Sequence, residues 1–159
     1  TRGDRSEILE TIYCYATGVD TKHWAFYRSI FTDEVEFDFS SWDPNNSARR
    51  QKADEWVAGV RVLFTGLDAT QHSMTNPRVA IEGAHATCIM YMQAAHFLHN
   101  SEGDPESTLG GFYTDRLVRT PSGWKLCGVT LTVTWSRGNK PIMALAAQRG
   151  AERLRLAKA

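Results

Sequence analysis

His72 sits in the stretch TQHSMTNPRV, at a place where an alternating strand would turn its imidazole inward. Imidazole titrates nearest neutrality among the side chains, so a sheltered one is a candidate proton acceptor. A lone histidine is more often a hydrogen-bonded core residue, and chemistry requires partners for it. Three other sets of reactive side chains compete. The run EVEFDF alternates Glu34, Glu36 and Asp38 with Val35, Phe37 and Phe39. That period places the carboxylates together on a solvated strand face, whereas paired glycosidase acids converge on a substrate from separate positions. The histidines form no HExxH pattern, and His96 and His99 fall on opposite faces of a strand, so no metal site is expected. Cys14, Cys88 and Cys127 are scattered and set in apolar runs, which is the pattern of reduced cysteines packed in a core.

The 159 residues are enough for one domain with its own core, without disulfide or metal staples. Lysine plus arginine equals aspartate plus glutamate at 18 each, so no net field draws the chain to nucleic acid or to an anionic membrane surface. No apolar run approaches the roughly 20 residues that cross a bilayer, and no charged-then-apolar leader opens the chain. A cytoplasmic protein is expected.

The elements that would carry His72 follow from periodicity. SEILETIYCYATGVD repeats Ile8, Ile12, Tyr15, Ala16 and Val19 at helical spacing, with Asp4 or Ser6 as N-cap. HWAFYRSIF predicts a short second helix with a stripe of Trp24, Tyr27 and Phe31, and SSWDPNNSARR is a loop leading into a third helix over residues 50–64. The period then changes to two. Segments 70–82, 85–99, 109–119 and 123–136 read as strands joined by the hairpin connections EGAH, NSEGDPES and TPSG. Helices first and an antiparallel meander afterwards give an α+β domain with the helices on one face of the sheet. That domain is expected over residues 1–140, with 141–159 as a tail that can form a helix weakened by Gly150.

Three strings in this order, YATGVDTKHWAFYRSIFTDEVEFDFS, TQHSMTNPRVAIEG and GGFYTDRLVRTPSGWKL, resemble the SnoaL-like branch of the nuclear transport factor 2 (NTF2)-like superfamily. The resemblance implies a cone: a strongly curved, mostly antiparallel sheet around a deep cavity closed by the N-terminal helices. It also supplies partners for His72. In dehydratase and dehydrochlorinase members an aspartate at the end of the first helix pairs with a histidine on the strand after the third, and those positions match Asp20 and His72. A carboxylate on Nδ1 fixes the tautomer, frees Nε2 as base and stabilises the imidazolium that forms. The resemblance further points to Tyr15 as a proton donor to a leaving oxygen and to His96 as a second active-site histidine. Without it, Asp20 reads as a helix-end turn residue, Tyr15 as a core aromatic and His96 as a bonded strand residue.

Several relatives carry an arginine on the last long strand where this chain has Val129. The phase Cys127, Val129, Leu131, Val133, Trp135 is apolar, so a greasy inner wall and an uncharged aromatic or polycyclic substrate are expected. Substrate contacts are expected from Trp24, Phe39, Met74, Asn76, Val129 and Leu131. The predicted activity is a cofactor-independent lyase with a His–Asp base, acting by dehydratase-type elimination or by C–C cleavage that releases a small aldehyde. An isomerase or cyclase, and a non-catalytic ligand-binding or assembly subunit, are the alternatives, because the fold alone does not set function. A small-molecule partner and a homodimer or homotrimer built through the sheet are expected.

Overall fold

The computed structural model describes residues 1–159. Helix α1 (Arg2–Asp20) starts earlier than its first apolar residue suggests, because Thr1 is the N-cap and its hydroxyl accepts the Asp4 amide. The Asp4 carboxylate completes the capping box, its Oδ2 accepting from the Thr1 amine and hydroxyl at 2.8 Å each, while its Oδ1 accepts Trp124 Nε1 at 3.2 Å and Arg119 at 2.6 Å, which ties the helix start to the sheet. Ile8, Ile12, Tyr15 and Val19 form its buried stripe. A turn through Lys22, at φ 56°, leads to α2 (Trp24–Ser29), where the Phe26 amide donates to His23 Nδ1 at 3.2 Å.

Six strands follow the order β2–β1–β6–β5–β4–β3 in one mixed, curled but unclosed sheet. They are β1 (Phe31–Asp38), β2 (Arg49–Lys52), β3 (Ala69–Glu82), β4 (His85–Phe97), β5 (Glu106–Thr120) and β6 (Gly123–Gly138). Only the β1–β6 pair is parallel; β3 to β6 form the expected meander. The acidic face of β1 is solvated as expected, with Glu34 paired to Arg50 and Glu36 to Arg116.

Bulges curl this sheet, and each one reverses the inward phase of a strand. On β3 the register shifts between Thr75 and Arg78, with Asn76 at φ 57°, so the half-buried face passes from His72 and Met74 to Pro77, Val79 and Ile81. On β6 Cys127 is an extra residue opposite the Arg116–Leu117 step. Trp124 and Leu126 point inward before it, Val129 and Leu131 after it, and Cys127 itself turns outward beside Arg116. A second bulge opposite Gly110 and Gly111 turns Trp135 onto the outer surface, where it lies across Gly110. The predicted inner phase from Cys127 to Trp135 therefore holds only in its middle.

Helix α3 (Ala53–Gly66) packs against the β1 end of the sheet, and α4 (Ile142–Ala157) packs on α3. Gly150 does not weaken α4 so much as make this docking possible. A β-carbon there would press on the Val62 carbonyl, and one at Gly66 would press on the Ala146 carbonyl, so the two backbones meet with no side chain between them.

Candidate active site

Asp20 is the last residue of α1 and faces β3, where Thr70 and His72 share a strand face. Its Oδ1 accepts the Thr70 hydroxyl at 2.9 Å and lies 2.8 Å from His72 Nδ1, while Oδ2 accepts the His72 backbone amide at 2.7 Å. Burial alone would raise the pKa of Asp20, but the hydrogen bonds and charge of His72 and the hydrogen bond from Thr70 outweigh it and hold the carboxyl below its usual range. An ionised carboxylate is an acceptor only, so Nδ1 carries a proton, and in the neutral ring the lone pair is the one on Nε2. The His72 side chain is 6 % exposed.

Across the β3–β4 pair, Thr70 stands opposite His96 and His72 opposite Ala94, which makes the two imidazoles diagonal neighbours. Their centroids are 6.0 Å apart, nearly perpendicular, with Phe64 against both. His96 Nδ1 lies 3.0 Å from the Ser107 carbonyl, an acceptor, so its proton is on Nδ1 and Nε2 is bare. Burial, reinforced by the neighbouring His72, pushes the His96 pKa down to about 4. His96 is therefore a neutral hydrogen-bond acceptor near pH 7 and a poor proton donor.

Both histidines open onto a cavity of about 770 Å³. Tyr15, Tyr27 and Tyr113 form another part of its wall, with ring centroids 5.2 Å apart for Tyr15–Tyr27 and 5.5 Å for Tyr15–Tyr113. Burial raises the pKa of all three phenols above the ordinary value, so they serve as donors and not as phenolates. Trp56 Nε1 donates to the Tyr27 hydroxyl at 3.1 Å and stacks on Phe37 at 3.8 Å. The cations that reach the cavity, Arg49 and Lys140, are exposed side chains.

Among the expected site residues, Tyr15, His72, His96, Phe39 and Leu131 line the cavity, and Asp20 stands behind His72. Four expected contacts do not line it. Trp24 is half-buried and edge-on against Tyr27, at 6.1 Å. Met74 packs on the core, Val129 is buried in the core, and Asn76 is exposed because the bulge takes it off the face of His72. Sequence reasoning did not pick out Thr70, Tyr27, Trp56 or Tyr113. A signal was present for Tyr113, which alternates in phase with Leu109 and pairs with Leu131. No group of three or more histidine, cysteine or carboxylate side chains has metal-binding geometry.

The Kfla4162 protein of Kribbella flavida superposes with a TM-score of 0.83 at 29% identity, over 92% of this chain and 98% of that one. A candidate aromatic ring hydroxylase from Novosphingobium aromaticivorans gives 0.78 at 23% identity, over 90% and 98%. A candidate scytalone dehydratase from the same species gives 0.74 at 18% identity, over 85% and 87%, and so shares the fold. The family model for the SnoaL-like domain matches residues 2–130, and the chain therefore belongs to the SnoaL-like family.

Proposed function

We propose that the protein is a cofactor-independent lyase that eliminates a small group, water in the simplest case, from an uncharged aromatic or polycyclic molecule. The observation that carries this reading is the Asp20–His72 pair, with its 2.8 Å contact on Nδ1 and its remaining nitrogen free in an aromatic cavity. In the reaction His72 Nε2 takes a proton from carbon, the C–H electrons form the double bond, and the C–O bond breaks toward oxygen. Tyr15 donates the proton that lets the oxygen leave as water, and the imidazolium restores that proton. His96 takes a different part. Its bare Nε2 accepts a hydrogen bond from a substrate hydroxyl, which favours an alcohol over a halide as the substrate.

The dehydratase name of one structural neighbour agrees with this reading, whereas the hydroxylase name of another fits a subunit of an oxygenating assembly. The buried carboxylate–imidazole pair favours the first, since a scaffold has no use for a base held in one tautomer. An isomerase would use the same base and return the proton to another carbon.

The test is a panel of hydroxylated aromatic and polycyclic compounds followed by mass spectrometry. Loss of water supports elimination, loss of formaldehyde supports C–C cleavage, and an unchanged mass supports isomerisation. His72→Ala is expected to lower turnover by about 10² to 10⁴-fold with ligand affinity kept within about tenfold. Asp20→Asn should be comparably severe, because an amide nitrogen must face either the His72 amide or the Nδ1 and Thr70 donors. The double variant should cost little more than the worse single one, as for two groups that act as a unit. Undiminished turnover in His72→Ala would refute the assignment.

A further inference from the structure

Two carboxyl groups are buried where the helices meet the sheet, Asp4 on α1 and Asp115 on β5, and they are treated in opposite ways. Asp4 is held by Arg119 and the Trp124 indole. Asp115, on β5, is 3 % exposed and has neither an ion pair nor a hydrogen bond, so burial is the single influence on its acidity. It lies two residues after Tyr113 on the same strand face, opposite Cys88 on β4 and Val129 on β6. It does not line the cavity, and it is near enough to Tyr113 and Tyr27 that its charge would disfavour theirs.

We propose that Asp115 is a positioning residue which, as a neutral acid behind Tyr113, keeps the tyrosine cluster a donor of hydrogen bonds to negative charge, and that its ionisation switches the site off. The inference rests on the lyase reading. As oxygen departs, negative charge develops against the phenols. A carboxylate behind them, in surroundings with no countercharge, opposes that charge at short range, whereas a carboxylic acid does not. Leucine would fill so nearly buried a place more cheaply than a carboxyl without a protein partner.

The other titratable groups around Asp115 hold their charge state through the alkaline range. Tyr15 on α1, Tyr27 on α2 and Tyr113 on β5 are all shifted upward, and the Cys88 thiol on β4 is pushed up to about 11. β6 offers only Val129 and Leu131. Elsewhere around the cavity stand His72 with Asp20, His96, and the exposed Asp43, Arg49, Glu55 and Lys140. Burial raises Asp115 to about 8, so in this layer it is the group that changes charge between neutral and mildly alkaline pH.

The experiment has two arms. In the first, turnover is followed from neutral to alkaline pH in the wild type and in Asp115→Asn. The wild type should fall about tenfold per pH unit above a midpoint near 8, as for a single ionisation, and the variant should lack that limb. The same limb in Asp115→Asn would overturn the proposal. The second arm needs no substrate and no variant: carbon NMR of the full chain labelled at the aspartate carboxyl carbons. One aspartate signal should titrate near pH 8, far above the usual carboxylate range, and completion of every aspartate titration below about pH 6 would overturn the proposal. If no compound is turned over by the wild type, the lyase reading fails in the first arm while the second still reports on Asp115.

Discussion

Replacing Gly150 by alanine is expected to destabilise the protein, although alanine is the better helix former. An added β-carbon would lie 2.9 Å from the Val62 carbonyl carbon and 3.0 Å from the Gly66 nitrogen, and closer still to the Val62 oxygen. Relaxed carbon contacts are about 3.5–4.0 Å, so α3 and α4 must separate by roughly 1 Å. Both obstructing groups are helix backbone and have no rotamer to retreat into. Overpacking of this kind costs about 1–3 kcal/mol, against a gain of at most about 1 kcal/mol in helix propensity. The net loss is about 1–2 kcal/mol, or several degrees in Tm for a chain of this size. The control is Gly59→Ala on α3, where a new β-carbon meets nothing within 4 Å. There the gain of about 1 kcal/mol stands alone, and Tm should rise by about 2–4 °C. Calorimetry of both variants reads the difference in sign. If both shift Tm in the same direction, the backbone contact between α3 and α4 is not the constraint inferred.

Stability should fall by up to about 2 kcal/mol between roughly pH 6.5 and 8. Asp115 is raised to about 8 in the fold, so its contribution is complete below the unfolded carboxyl range and is lost as pH rises toward 8. His96, lowered to about 4, acts in the opposite sense, losing stability as pH falls from about 6.5 toward 4, and the two partly cancel in that lower window. Urea unfolding at several pH values checks this, and Asp115→Asn should flatten the upper slope; a slope unchanged in the variant assigns it elsewhere. Tyr91, Ile89 and Phe97 are 56 %, 38 % and 39 % exposed on the outer face of β4, so an oligomer joined through the sheet is expected at micromolar concentration. A sedimentation coefficient matching a 17.8 kDa monomer would contradict it.

The elements were legible from the sequence because their signals are local and repeated. The stripe Ile8, Ile12, Tyr15 and Val19 marks α1, and the change of period after residue 66 marks the meander. The bulges were not legible. An extra residue such as Cys127 carries no side-chain signature, and after it every forward count along the strand is off by one face. That single effect explains why Asn76 is solvent-exposed, why Cys127 faces outward and why Trp135 lies outside the cone. Gly150 was misread for a related reason: helix propensity is a property of one chain, and its use here depends on Val62 of another helix.

The placement of the candidate site followed a different logic. The positions of Asp20 and His72 could be matched because each lies at an element boundary or strand site that the quoted strings pin down. The 2.8 Å contact between them depends on α1 crossing β3, which no local period encodes. The phenols were hidden because an aromatic side chain facing a cavity and one facing the core have the same period and the same composition. Tyr27 reads as the buried stripe of α2 and is one, being fully buried, yet it also lines the cavity and receives the Trp56 proton. In a cone the core and the binding site are one surface divided only by depth. Asp115 lies below that division and the histidines above it, so strand phase can say which side chains point inward but not which of them a substrate would meet.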